Sequence, residues 1–590
     1  MKRRSFFQIL AASVLVLLLI SVGGVYWILA HSPLAVLRGS AIAYPTTAVF
    51  IPRQAPIVAS LLVNPTQLEA LRQLEVKPSQ RGRSRSELNQ IKSSLLANTG
   101  LDYQRDIAPW LGDEMTLAVT TFDRDRDPSN GRQPGYLLVA TTHKPQAARE
   151  LLDLYWQRQA IAGTDLVFEP YKGVKLIYTN GDGELLLETQ KPTLNNAFAT
   201  AVVGADYVLF ANDPQVLKAA INNVQVPELN LSSSGDYQTV LEQLSDRAIA
   251  LIHFNLPQIR AFWQPIGAPQ PQPLTRKRGK STPPEDAPKT EPLSDPVFQS
   301  LAVGIEANRQ GAIAQTLLLA APGQTLTPTD PTLSRPLPIL NYLPKDVSLG
   351  IAGDNLQQFW QQVQSSATGY PVLAQLFEQP QKDLEARAGV NLESDIFSAV
   401  QNHYALGLLP RRDRESPDWI FVAQRTPETE KNLIDRLDER AKERGYSIGS
   451  FDLGDQKITV WTKLTSVSQA NESNILKAQV QGVRTRVEDY EILTTSIEAM
   501  DRVIQAKREG SLGESREFLE AISPLRSPND GYVYLDWVAS QSILEKQLPV
   551  LKLLELAGKP LFDHLRSLSM SSYGTTPTTR TADIFLKLGE

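Results

Sequence analysis

The amino-acid sequence predicts an α+β protein with mainly antiparallel sheets, preceded by one transmembrane helix. Three observations support this prediction. A long uncharged segment stands near the amino terminus, stretches of alternating apolar and polar residues recur along the rest of the chain, and helical patterns interrupt those stretches. Helices that separate runs of hairpin-forming strands favour an α+β fold over a doubly wound parallel sheet.

The first 30 residues predict a membrane anchor. Residues 1–5 form a short basic cytoplasmic tail, and residues 6–30 carry no charge. The uncharged run from Ser5 to Ala30 would span about 39 Å as a helix, against a hydrocarbon core of about 30 Å. The basic tail keeps the amino terminus in the cytoplasm, which places the bulk of the chain in a periplasm or lumen. The alternative is a cleaved signal peptide, whose apolar region usually has only about 7–15 residues.

Short segments recur in the same order in the two halves of the chain, which indicates an internal duplication. The matched pairs are 100–107 with 389–396, 134–140 with 417–423, 168–179 with 451–462, 206–209 with 489–492, 250–254 with 533–537, and 316–319 with 583–586. We therefore predict two related α+β units at residues 41–322 and 339–590, joined by a Thr- and Pro-rich linker at 323–338.

Local patterns predict single elements within these units. Residues 457–462 alternate as a half-buried strand, and 180–183 carry a hairpin turn. Residues 428–444 predict a helix that ends at Gly445. The apolar face of that helix comprises Leu433, Ile434, Leu437 and Ala441. Two further helices are expected to begin at the N-caps Asp213 and Ser496.

The two units differ most at residues 264–296 of the first. This segment holds nine prolines and a basic cluster at 276–280, so we expect an exposed loop without a core of its own. The cluster could also contact anionic lipid headgroups. The corresponding residues 541–564 of the second unit have a helical pattern.

The composition limits the classes of function. Of 590 residues, 42% are apolar and 21% charged, so most of the chain can bury a core. The formal charge of −5, from 59 basic and 64 acidic residues, argues against a nucleic-acid partner. The absence of cysteine excludes disulfides, thiolate metal sites, a cysteine nucleophile and a lipid anchor on an amino-terminal cysteine.

One motif resembles a hydrolase nucleophile. Residues 445–449 match G-x-S-x-G with Ser447 at the centre, but a helix is predicted before this serine and a strand after it. The nucleophile elbow of hydrolases has the reverse order, and the matching stretch around Gly163 lacks the motif. We therefore do not assign Ser447 as a nucleophile.

Two ligand-binding motifs also fail. Residues 123–127 (DRDRD) resemble a calcium loop, but Pro128 and Pro134 stand where an EF-hand needs Gly and Glu, so a polar hairpin tip is expected. Residues 279–281 resemble the end of a phosphate loop, but Leu274 replaces its first glycine. The basic run at 81–85 is expected to be a solvated loop.

Histidines and aromatic residues give no site either. The five histidines show no pair at i,i+4 and are His31, His143, His253, His403 and His564. In the two predicted units, His253 corresponds to Asp536 and His403 corresponds to Glu114. We therefore expect both histidines at partly exposed strand positions. The strand aromatics are expected to pack in the core or on a sheet face: Tyr136, Tyr207, Trp419, Trp461, Tyr490, Tyr532, Tyr534 and Trp537. No catalytic, cofactor-binding or metal-ligating residue is assigned, and no cofactor is expected.

The amino-terminal span, the sequence AYPTTAVFIP at residues 43–52 and the duplicated unit together resemble the cyanobacterial family of domain-of-unknown-function 3352. The resemblance covers essentially the whole exported part. It implies a single-span protein of the plasma or thylakoid membrane in a photosynthetic bacterium, and it carries over no catalytic residue.

Three functions stay open. We favour a membrane-anchored, exported, non-catalytic binding or scaffold protein with an unknown protein partner. The first alternative is a carrier or sensor of an apolar ligand, such as a lipid or pigment, bound on an apolar sheet face. The second is an exported hydrolase whose residues meet only in the fold.

Overall fold

The computed structural model describes residues 44–64, 103–127, 131–179, 199–263, 296–367, 370, 381–382, 385, 391–411, 417–426, 433–469, 472–547 and 559–589. The predicted membrane anchor, the hairpin turn at 180–183, the basic run at 81–85 and the Pro-rich segment up to residue 295 lie outside these residues. In the part of the chain that is described, no helix is long and apolar enough to cross a membrane.

Twenty strands and ten α-helices are described. The strands are β1 (Ile57–Leu61), β2 (Leu111–Thr121), β3 (Gly135–Thr142), β4 (Leu166–Tyr171), β5 (Val174–Thr179), β6 (Ala199–Val203), β7 (Tyr207–Ala211), β8 (Ala250–Asn255), β9 (Phe298–Asn308), β10 (Gly311–Ala320), β11 (Leu349–Gly353), β12 (Tyr404–Leu409), β13 (Asp418–Gln424), β14 (Ser447–Leu453), β15 (Gln456–Gln469), β16 (Glu472–Val487), β17 (Tyr490–Thr494), β18 (Gly531–Asp536), β19 (Leu565–Thr575) and β20 (Thr579–Leu588). The helices are α1 (Pro145–Ile161), α2 (Pro214–Gln225), α3 (Gly235–Gln243), α4 (Leu256–Trp263), α5 (Leu356–Ala367), α6 (Asp435–Glu443), α7 (Ile497–Glu509), α8 (Arg516–Ile522), α9 (Trp537–Gln547) and α10 (Lys559–His564).

Short helical turns complete the described elements. Five-residue 3₁₀ helices precede β1 and β11, at Thr46–Phe50 and Pro338–Tyr342, and π turns precede β2 and β12, at Tyr103–Ile107 and Leu392–Ile396. Shorter 3₁₀ turns are Pro227–Leu229, Leu231–Ser233 and Phe397–Ala399.

All twenty strands belong to one antiparallel sheet. Their pairings give the order β4-β5-β6-β7-β3-β2-β1-β8-β9-β10-β20-β19-β18-β11-β12-β13-β17-β16-β15-β14. At about 4.8 Å between strands, the sheet measures about 90 Å along its length. The prediction of an α+β protein with antiparallel strands is confirmed.

The strands of the two halves meet at the pair β10–β20. Nine residue pairs join these strands, from Gly311 with Lys587 to Leu319 with Thr579. A side chain at Gly311 would overlap the carbonyl oxygen of Leu586, so glycine permits the close approach at this end. The junction therefore consists of ordinary ladder hydrogen bonds rather than of a loose contact between lobes.

Helices lie on both faces of the sheet. On one face, called face 1, the two longer 3₁₀ helices and α2, α3, α7 and α8 bury two cores that include Leu209 and Leu217 in the first half and Ile420 and Val503 in the second. On the other face, called face 2, α1 covers the outer strands of the first half and α6 those of the second. Each half thus has cores on both faces, and a further core at the middle of face 2 joins residues of both halves, such as Ile305 and Leu565.

Several elements begin and end where their sequences predict. Asp213 accepts a hydrogen bond from the N–H of Gln215, and Ser496 accepts one from Ala499, so both predicted N-caps are confirmed. Helix α6 ends beside Gly445, whose φ is +73°. The predicted apolar face of this helix is buried at Leu433, Ile434, Leu437 and Ala441.

The segment between the halves, 323–338, has little regular structure but is tied to the second half. Thr329 forms a β-bridge with Thr575, and Leu333 forms one with Asn529. Leu326, Leu333 and Leu337 are buried. These bridges and buried leucines pack the segment against the second half.

Candidate functional site

The structure places Ser447 at the first residue of β14. Helix α6 ends at Glu443, the turn passes through Gly445, and the strand begins at the serine. The order is helix, turn, strand, the reverse of a nucleophile elbow, and Ser447 is exposed. The predicted order, with a helix before Ser447 and a strand after it, is therefore confirmed. This order was the reason for not assigning Ser447 as a nucleophile.

The acidic residues 123–127 lie between β2 and β3, in the predicted hairpin tip. Arg124 forms an ion pair with Asp213, and Asp123 accepts a hydrogen bond of 3.2 Å from the N–H of Gln133. Within the ranges that the structure describes, no group of three or more His, Cys, Asp or Glu side chains could hold a metal ion. The basic cluster at 276–280 and the motif at 279–281 lie outside those ranges.

The described histidines His143, His253 and His403 lie in separate environments. His143 lies 3.1 Å from Asp113, and His403 lies 3.2 Å from Asp354, both with partly exposed side chains. His253 does not fit its prediction of a partly exposed position, because only 5% of its surface is exposed. The reason is that α3 covers β8 on face 1, which the sequence around His253 does not reveal.

The strand aromatics pack as predicted. Trp461, Tyr532 and Tyr534 are buried in cores, and Tyr490 packs 5.0 Å from Tyr342, measured between ring centroids. Trp537 begins α9 rather than ending a strand, and it is also buried.

Among the acids of the first half that the structure describes, Glu114 is the most buried, at 1% exposure. Its two carboxylate oxygens accept four hydrogen bonds of 2.5–2.9 Å from the N–H and hydroxyl groups of Thr46 and Thr47. The hydroxyl oxygen of Thr47 also lies 2.6 Å from that of Thr116. The carboxylate caps the start of the first 3₁₀ helix, so its chemistry is used within the fold.

A cavity of about 270 Å³ lies beside α3. It is lined by Tyr44, Pro45, Ser232, Tyr237, Gln238, Leu241 and Glu242. This volume is close to the lower limit of about 300 Å³ for small-molecule sites, and its lining combines aromatic, amide and carboxylate groups without a nucleophile paired to a base.

The most extensive feature is an unbroken apolar row on face 2. Directly paired residues in adjacent antiparallel strands point to the same face. Following these pairs from β6 to β17 gives one apolar residue on each of fifteen neighbouring strands: Val202, Val208, Ala140, Met115, Leu61, Ala250, Ile305, Ala314, Ile584, Met570, Val533, Ile351, Leu406, Phe421 and Leu493. The row crosses the junction without a polar residue.

The two ends of this row are covered by helices, and α9 and α10 cover part of its middle, where Trp537 and Phe562 pack in one cluster with Ala250 and Ile305. Val208 and Ala140 pack with α1, and Phe421 and Leu493 pack with α6. Between them lies an area that we call the central patch, whose residues are only half-buried except for Met570, which is 39% exposed. The central patch comprises Ala59, Leu61, Val303, Ala314, Ile584, Leu586, Leu568, Met570, Val533, Leu535 and Ile351.

Polar groups near the patch are turned away from it or satisfied. Thr316 donates its hydroxyl to the carbonyl of Ala582, 2.8 Å away within the sheet. Arg580 at the end of β20 donates to the carbonyl of Gln362 and the hydroxyl of Ser366, both on α5. The central patch can therefore bury apolar surface of a partner, at about 25 cal/mol per Å², but offers no group for bond-making chemistry.

Sequence reasoning predicted apolar sheet faces but not this patch. Each strand shows its own alternation, yet the row forms only when strands as distant as β1 and β18 are placed in one sheet. One signal is visible in the sequence. β8 and β9 carry apolar residues on both faces, which indicates that both faces of the sheet bury apolar surface there.

Comparisons with known proteins place these features in context. The family model described as "Protein of unknown function (DUF3352)" matches residues 10–588. No curated protein matches significantly. Among solved structures, crystal form III of TP0453 is 7% identical, covering 48% of this chain and 84% of that chain with a TM-score of 0.23. Crystal form I of TP0453 is 9% identical, covering 49% and 82% with a TM-score of 0.22. Scores this low support no conclusion about fold or function.

Proposed function

Because the chain belongs to the DUF3352 family, whose description names no activity, we propose a function from the chain's own geometry: a non-catalytic binding or scaffold protein. In this proposal, residues 6–30 hold the protein in a plasma or thylakoid membrane, and the sheet stands in the periplasm or lumen. The sequence alone supports this placement, through the uncharged run and the basic residues before it. An origin in a cyanobacterium stays an expectation.

An internal duplication is the second part of the proposal. Counted from the junction, the first half has the order β10-β9-β8-β1-β2-β3-β7-β6-β5-β4, and the second has β20-β19-β18-β11-β12-β13-β17-β16-β15-β14. Adding ten to each strand number of the first half gives the second. Two copies of one unit, joined through their equivalent last strands, account for this repetition.

The strand pairing also refines the matching of residues between the copies. His253 lies opposite Val58, and Tyr534 lies opposite Gly350. In this register the residue equivalent to His253 is Tyr534 rather than Asp536, a difference of two positions. The shift preserves the face of the strand, because side chains alternate with a period of two.

The observation that carries the proposed function is the central patch. Among the described residues the patch stays half-buried, beside the part of face 2 that α9 and α10 cover, and apolar area left open on a protein surface often marks a binding site. Here the patch straddles the junction, so both copies contribute to it, as expected if joining the copies created the binding surface. We infer that a partner covers the part of the central patch that α9 and α10 leave open.

A photocrosslinking experiment tests this proposal. A benzophenone amino acid replaces Met570 in the full-length, membrane-bound protein, and a matched variant carries it at Ile161, which is 87% exposed at the end of α1 and outside the patch. We expect one discrete adduct at position 570 and none at 161. Absence of an adduct at 570, or the same adducts at both positions, would contradict the proposal.

The second candidate function, a carrier or sensor of an apolar ligand, is favoured by the same patch because its described residues are all apolar. Mass spectrometry of the Met570 adduct separates the two candidates. A lipid or pigment mass supports the carrier, and a protein mass supports the scaffold. The hydrolase alternative gains no support from the position of Ser447 or from the partners of His143 and His403.

A further inference from the structure

His253 occupies a closed position on face 1 of β8, beneath α3. Val58 of β1 and Ala302 of β9 flank it directly in the sheet. The ring of Tyr237 from α3 stands edge-on above it, with 5.4 Å between ring centroids and an interplanar angle of 89°. These neighbours exclude water from the imidazole, and burial lowers the pKa of His253 to about 4.

Among the described residues, none that packs against His253 offers a counter-charge to an imidazolium. Within the described part of the chain, Nδ1 of His253, Oη of Tyr237 and Oγ of Ser300 on β9 have no hydrogen-bond partner. The strands on either side of His253 contribute an uncharged residue each, and α3 contributes Tyr237, whose pKa burial raises. The acid that also acts on Tyr237 is Glu114, and both its oxygens are already engaged by Thr46 and Thr47.

The second half carries a different pair at the same place. Tyr534 on β18 and Phe518 on α8 stand edge-on, with 5.6 Å between ring centroids and an angle of 84°. Both residues are buried, and burial raises the pKa of Tyr534. The second half therefore has no group at this position that gains a charge in mild acid.

We propose that protonation of His253 in mild acid detaches α3 from face 1 of the first half. Helix α8 stays packed on the second half under the same conditions. Protonation adds one proton from solvent to the ring. The resulting cation is stable only if water reaches it, and the shortest way for water is displacement of Tyr237 with its helix. Four residues of the cavity lining, Tyr237, Gln238, Leu241 and Glu242, move with α3, so acid also reshapes that cavity. This inference does not depend on the proposed binding function.

Hydrogen exchange at two pH values tests the release. Amide exchange of residues 235–243 and 516–522 is measured at pH 7.0 and pH 5.0 and corrected for intrinsic rates. We expect the exchange of α3 to accelerate more than tenfold at pH 5.0, because an open form with an ordinary histidine pKa near 6.5 is protonated there and the closed form is not. Exchange of α8 is expected to stay the same.

Two substitutions make the test specific. His253→Gln removes the titration, and its α3 should exchange equally at both pH values. Tyr534→His transfers a smaller, titratable ring to the second half, and α8 should then become acid-sensitive. Acceleration of α3 in His253→Gln equal to that in the unsubstituted protein would overturn the proposal. If His253→Gln does not fold at pH 7.0, the decision rests on Tyr534→His, and an unchanged α8 would then contradict the proposal.

Discussion

Gln315 of β10 lies directly opposite Asp583 of β20, at the centre of the junction. Gln315 accepts a hydrogen bond of 3.1 Å from the backbone N–H of Ser245, which follows α3. Asp583 accepts hydrogen bonds of 2.8 and 3.0 Å from the guanidinium of Arg526, which follows α8. In each half, the last strand therefore contacts the residues that follow a face 1 helix. The contact is neutral in the first half and charged in the second.

The charged contact gives the first prediction. Arg526→Ala should destabilise the protein by about 3–5 kcal/mol, because it removes the guanidinium that balances the charge of the buried Asp583 carboxylate. Asp583→Asn should cost only about 1–2 kcal/mol, because the Arg526 side chain is 54% exposed and water can solvate it. Urea unfolding at pH 7 measures both. A larger loss from Asp583→Asn than from Arg526→Ala would contradict this account.

Glu114 gives the second prediction. Glu114→Gln should lower the free energy of unfolding by about 1.5–3 kcal/mol. The amide NH₂ group that replaces one carboxylate oxygen cannot accept the hydrogen bonds that Thr46 and Thr47 donate. Hydrogen exchange of Thr46–Phe50 should rise, which localises the loss. The control is His403→Gln, because His403 and its partner Asp354 are partly exposed and their contact is worth about 0–1 kcal/mol. Equal effects of both substitutions would refute the capping role.

Two neighbours on β20 test whether the central patch is open. Phe585 is fully buried on face 1, and Phe585→Ala should cost about 3–5 kcal/mol. Ile584 points to face 2 and is half-buried, so Ile584→Ala should cost less than about 2 kcal/mol in the isolated protein. Thermal unfolding of purified protein compares them. A loss at Ile584 as large as that at Phe585 would show that the patch is closed within the chain.

Glu520 on α8 gives a prediction about acid. Its carboxylate lies 2.6 Å from Lys587 and 2.7 Å from Arg516, and these contacts lower its pKa from 4.5 to about 2. The stabilisation is therefore present above pH 4.5 and is lost as the pH falls towards 2. Glu520→Gln should reduce stability at pH 7 by less than about 1 kcal/mol, because the contacts are partly solvated.

The urea midpoint of Glu520→Gln should equal that of the unsubstituted protein near pH 2. A difference that persists there would mean that the side chain acts through packing rather than charge. The pH range of Glu520 lies below pH 5.0, so its titration does not disturb the test of His253.

Local features were predictable from the sequence. The N-caps Asp213 and Ser496, the stop at Gly445 and the apolar face of α6 depend on residues within one or two helical turns. Such interactions are visible in a short stretch of sequence, and packing did not override them here.

Long-range features were not predictable. The junction pairs Gln315 with Asp583, residues far apart in the chain, and nothing near either residue specifies the other. His253 was expected at a partly exposed position because a single histidine in a strand gives no sign of the helix above it. The central patch escaped prediction for the same reason, since its residues come from seven strands of both halves.

The strand order also has a consequence for biosynthesis. β10 sits in the interior of the described sheet, but its partner β20 is synthesised about 260 residues later, after the other described strands. At about 5–20 residues per second, a nascent chain would hold the edge of β10 unpaired for about 13–50 s. Throughout that interval the first half presents an open, apolar strand edge, which invites pairing with other chains. A ribosome that stops before residue 579 would release an incomplete sheet with this edge permanently exposed.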